Sequence, residues 1–128
     1  MLTFLGMHAE PSNLPYKPSA MSEAKRRILC GAFKADKQLA TISGRPPLLV
    51  RTFVSTPLPL DLSDETLLAG GAVLDTAVRN LDSNGWNTEG KILPVTMLRA
   101  RTMLSCIRDA ILEIALKEMQ DVSTDVLL

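Results

Sequence analysis

Between Thr96 and Met119 apolar side chains recur at helical spacing. Ala100, Leu104, Ile107, Ile111 and Ile114 make one line, and Met97, Met103, Ala110 and Leu112 widen it. A helix that is apolar over more than half its circumference has to be central, or covered on two sides. This element constrains the chain more than any other. A chain of 128 residues has the size of one domain and can bury roughly two-thirds of its unfolded surface. A partner subunit is one natural cover for the remaining side, which makes Ile107, Ile111 and Ile114 candidate interface residues. With 4% aromatic against 46% hydrophobic residues, the core has to be aliphatic, and six methionines add adaptable filling.

A second helix is predicted over 63–82. Ser63 is a natural N-cap, and Asp64 and Glu65 sit beside the positive end of the dipole. Leu67, Gly71, Leu74, Val78 and Leu81 share a face, and Asp82-Ser83-Asn84-Gly85 stops the run. Gly70-Gly71 inside it costs about 1 kcal/mol per glycine relative to Ala, which suggests close approach of another backbone.

Residues 22–56 allow two readings. In one, Ser22 caps a helix running through Ile28, Leu29, Ala32, Phe33, Ala35 and Leu39. In the other, a short helix near 22–28 leads into strands Ile28–Phe33, Gln38–Ser43 and Leu48–Ser55, separated by turn signals at about ten-residue spacing. The β-branched run ending at Pro57 favours the second, and Lys91–Val95 suggests a further short strand. The expected fold is therefore α+β, a small antiparallel β-meander packed against two main helices (63–82 and 96–119). A mostly α-helical chain is the alternative.

Residues 1–21 read as an extended N-terminal arm, because Pro11, Pro15 and Pro18 disfavour helix; residues 22–128 then form the globular domain. Phe4, Leu5 and Met7 give the arm an apolar tip that would dock on its own domain or on a neighbour. Trp86, with Tyr16, is a further candidate interface anchor.

Chemistry is harder to find. Cys30 and Cys106 fit no zinc spacing and read as buried thiols of a reduced compartment. The sole histidine, His8, lies on the arm, where no rigid shell holds it. Asp64-Glu65 is explained by capping, and no phosphate-binding glycine loop occurs. An enzyme is thus not expected, and no cofactor or metal is implied.

Charge is split: residues 1–60 carry eight basic and three acidic side chains, and residues 61–128 six and eleven. The densest basic cluster, Lys25-Arg26-Arg27, could meet the phosphates of nucleic acid (RNA or DNA) or an anionic membrane surface. Arg101 and Arg108 share a helix face, with ion pairs as the default reading. No signal segment or membrane span is evident, so a cytoplasmic chain is expected.

These features point to a non-enzymatic, self-associating structural or adaptor protein, a homo-oligomer. A proline-containing arm ahead of a compact α+β domain is the broad layout of small viral matrix proteins, though no PPxY or PTAP-type segment accompanies it. The alternative is an anionic-ligand binder acting through residues 25–27.

Overall fold

The computed structural model describes residues 16–49 and 56–127. The element order is α1 (Ala20–Ser43), α2 (Asp64–Ala69), α3 (Gly71–Arg79) and α4 (Pro94–Leu127). The described residues hold no sheet, only an isolated bridge between Leu81 and Asn87. The expected α+β meander is therefore wrong and the helical alternative holds.

The physical reason lies in α1. Ser19 opens it with a capping box: its side chain accepts from the Ser22 N–H at 3.1 Å, and Ser22 Oγ accepts from the Ser19 N–H at 2.9 Å. Gly44, at φ +66°, closes it. The inward stripe runs through Glu23, Arg26, Leu29, Cys30, Phe33, Lys37 and Ala40, three of which are charged. Ile28, Leu39 and Ile42 point outward, at 53%, 66% and 79% exposure. Apolar periodicity follows the wrong residues here, so one 24-residue helix looks like two strands. The turn signal at Gly44-Arg45-Pro46-Pro47 was real, but it ends a helix. Most of the third strand, residues 50–55, lies outside the described residues, as do residues 1–15 of the arm.

The expected helix over 63–82 is two helices. Ser63 caps α2, accepting from the Thr66 N–H at 3.2 Å. Gly70 and Gly71 then adopt φ +61° and +52° and break the run. A Cβ at either would meet nothing within 4 Å. The glycines serve backbone conformation and not close approach of a neighbour.

Lys91–Val95 forms no strand. Pro94 opens α4, a position where its missing N–H costs nothing. Thr96 lies inside the first turn, accepting from the Leu93 N–H at 2.9 Å.

Helix α4 lies against α1, and α2 folds onto α3. Two apolar clusters result. Leu29 and Phe33 gather Leu49 and Cys106; Leu62, Leu67 and Leu74 gather Leu60, Ala77, Val78 and Leu81. An irregular stretch, residues 58–62, runs through the interior and supplies Leu60 and Leu62 to the second cluster. Pro59, Asp61 and Leu62 in it are buried, so its backbone groups need partners other than water.

Candidate functional site

Charged side chains from the helices supply those partners. From α1, Glu23 (fully buried) accepts from the Leu60 N–H at 2.8 Å, and Arg26 donates to the Leu58 carbonyl at 3.3 Å. From α4, Arg99 donates to the carbonyls of Pro59 and, at 2.7 Å, of Asn84. Its guanidinium stacks 4.3 Å from the centroid of the Trp86 ring. Burial pulls the Arg99 guanidinium below its ordinary pKa, and the negative charges of Asp61 and Asp82 oppose that pull. Asp61 is 1% exposed and accepts from the Asn87 N–H at 3.0 Å, from Asn87 Nδ2 at 2.5 Å and from Thr96 Oγ1 at 2.5 Å.

Tyr16 closes the near end of this network. Its phenol donates to Glu23 Oε1, and the Arg26 guanidinium lies 3.5 Å over its ring. Burial raises the phenol's pKa first and the Glu23 hydrogen bond raises it further, well above the usual value. The folded state thus holds this proton longer than the unfolded chain. The stability it contributes is complete below about pH 10, the ordinary tyrosine value, and is lost as pH rises through the folded pKa. Tyr16 is the single tyrosine, so absorbance at 295 nm reports it alone. The native chain is expected to ionise at higher pH than the chain in urea; coincident curves would mean that the phenol is not bonded.

A second ionic knot joins α1 to α4. Lys37 is fully buried, with its ammonium 3.0 Å from both Asp36 and Asp109 and 4.4 Å from the Phe33 ring centroid. Burial acts to raise the Asp36 carboxyl, but the Leu48 and Leu49 amides and Lys37 outweigh it and hold the group below its usual value.

Beside this knot an apolar groove of about 330 Å³ opens between α1, α4 and residues 56–58, lined by Leu29, Phe33, Pro57, Leu58, Met103 and Ile107. Cys30 and Cys106 also line it, and both are free thiols. Cys30 is buried, and burial pushes its thiol up; Cys106 is half-buried. Among the described residues no three His, Cys, Asp or Glu side chains gather to hold a metal ion.

The structure separates the candidate residues. Phe4, Leu5 and Met7 lie outside the described residues. Trp86 is half-buried under Arg99, so it serves the interior network. Ile107, Ile111 and Ile114 stand outward at 58%, 60% and 62% exposure. Of the basic cluster, only Lys25 faces solvent. Arg26 is 4% exposed within the network, and Arg27 pairs with Asp64 and donates to the Leu62 carbonyl at 2.9 Å. Glu23, Lys37, Asp61 and Arg99 carry the interior, and no apolar pattern marks them. The usable signal was the placement of Glu23, Arg26 and Lys37 in register with Cys30, Phe33 and Ala40.

These features define an α-helical scaffold among the described residues, its interior charges consumed in holding its own backbone and in pairing with one another. The chain belongs to the family of the fungal specific transcription factor domain, which it matches over residues 1–72. That stretch includes α1 and α2. Searches of curated proteins and of solved structures return no match. The family overturns the reading of the chain as a structural or adaptor protein of viral matrix type, and nothing in it supports RNA binding. The layout behind the viral comparison also fails, because the domain is not α+β. No described helix is long and apolar enough to cross a membrane.

Proposed function

We propose that this chain is a non-catalytic regulatory module of a fungal transcription regulator, acting in the nucleus through contacts with protein. The family match over residues 1–72 carries the reading. The fate of the basic residues supports the choice of protein over DNA as the direct contact. A helix that reads DNA presents Arg and Lys outward to phosphates and base edges. In α1 Arg26 is buried and Arg27 is engaged by Asp64 and Leu62. DNA contact then falls to other parts of the regulator or to its partners.

A tethering assay in yeast tests this. Fused to a heterologous DNA-binding domain, the full chain is expected to change reporter output several-fold, and a fluorescent fusion is expected to concentrate in the nucleus. A tethered chain that leaves the reporter unchanged while being expressed and nuclear would refute the regulatory role. Exclusion of the fluorescent fusion from the nucleus would refute the location.

A further inference from the structure

Helix α4 faces the wrong way round for a lone domain. Its side toward α1 is largely polar: Arg99, Thr102, Ser105 and Asp109 are all 6% exposed or less. Its opposite side carries the apolar line. Met97, Ala100, Leu104, Ile107, Ile111 and Ile114 are spaced three, four, three, four and three apart, which is the a/d alternation of a coiled-coil seam. Leu104, Ile107, Ile111 and Ile114 are 58–66% exposed. A contiguous apolar stripe of this length marks an interaction surface.

The flanks of the seam say what covers it. With Leu104 and Ile111 at a, one flank (e) carries Arg101, Arg108 and Ala115, and the other (g) carries Met103, Ala110 and Lys117. Three of these six are cations and none is an acid. Lys34 of α1 adds to the Arg101 and Arg108 side, lining a shallow cleft with them. Among the described residues no carboxylate pairs with Lys34, Arg101, Arg108 or Lys117. Flanking positions of paired helices meet each other and set partner choice through charge. A second copy of α4 brings no acid to these positions in either orientation, and in an antiparallel pair it sets arginine against arginine.

We propose that the outward face of α4 is a docking seam for an acidic amphipathic helix of a partner protein. Leucine or isoleucine of that helix fills the seam between Leu104 and Ile114, while its glutamates or aspartates meet Arg101 and Arg108 on one side and Lys117 on the other. The inference rests on side-chain placement and holds whether or not the chain regulates transcription.

The test uses the full chain and two fluorescein-labelled peptides of three heptads, both with Leu and Ile at a and d, one with Glu and the other with Lys at e and g. Fluorescence anisotropy is expected to show binding of the Glu peptide, weakening with salt, and at least about tenfold preference over the Lys peptide. In R101E/R108E that preference is expected to invert. In I107S/I111S binding of the Glu peptide is expected to disappear. These side chains are exposed, so circular dichroism and thermal unfolding should match the parent chain. Equal binding of both peptides, no change on charge reversal, or binding that survives I107S/I111S would overturn the proposal. So would a dimer in sedimentation equilibrium that I107S/I111S dissolves, which would make a second copy the occupant. Uptake by phosphatidylglycerol vesicles without peptide binding would also overturn it, assigning the face to a membrane surface.

Discussion

Lys37→Ala is expected to lower folding stability by about 3–5 kcal/mol, the usual cost of removing one partner of a buried ion pair. Lys37 is fully buried and sits 3.0 Å from Asp36 on its own helix and from Asp109 on α4. Removing the ammonium takes from Asp109, itself 6% exposed, the ion pair that ties it to α1. Single domains hold about 5–15 kcal/mol in total, so the variant should show a much lower urea midpoint. The companion variant K37M/D109L removes both ends of the α1–α4 pair. Apolar replacement of a buried pair is often neutral, so it should recover most of the loss. If the double variant were as unstable as Lys37→Ala, the damage would be cavity or strain and not the broken ion pair.

Arg99→Leu is the second large expected effect, about 2–4 kcal/mol, since it deprives the buried Pro59 carbonyl of its donor at about 1–3 kcal/mol and the carbonyl of exposed Asn84 of a bond worth about 1 kcal/mol. Those carbonyls, on Pro59 and Asn84, belong to two different irregular segments, so Arg99 latches both to α4. The variant also exposes one face of Trp86, which is the only tryptophan. Its emission should shift to the red in the folded variant, before any denaturant is added. A loss of stability without that shift would place the damage away from the stacked pair. Both variants act on buried side chains at the α1-facing side of α4, opposite the outward seam. At temperatures where the variants stay folded, peptide binding at Arg101 and Arg108 should persist.

The two expected losses share a cause, which also explains where sequence reading stopped. An irregular stretch lies inside this domain where a helix would have satisfied most of its own backbone. Glu23, Arg26 and Arg99 are buried because Leu58, Pro59 and Leu60 need donors and acceptors there. Their charge is unfavourable in an apolar interior until those bonds form. Read along the chain, such residues look like solvent-facing positions and break the apolar repeat. That is how α1 came to resemble strands, and how Arg26 and Arg27 came to resemble an anion-binding patch.

The outward seam had the opposite history. Ala100, Leu104, Ile107, Ile111 and Ile114 were legible as a line because their spacing is set by the helix itself. The sequence also carried Arg101 and Arg108 on one face. Which face of α4 meets α1 was not legible, since an apolar line is ordinarily the buried one.

Local chemistry alone determined where several elements begin and end. Ser63 accepts from the Thr66 N–H because a hydroxyl at that position satisfies an orphan donor, whatever surrounds it. Gly85 can take positive φ wherever it is placed. The extent of α1, the break at Gly70-Gly71 and the direction of each charged side chain were decided only in the folded chain. Burial of Arg99 depends on partners supplied from 15 and 40 residues away and burial of Lys37 on Asp109 of another helix, and no short window of sequence contains both ends.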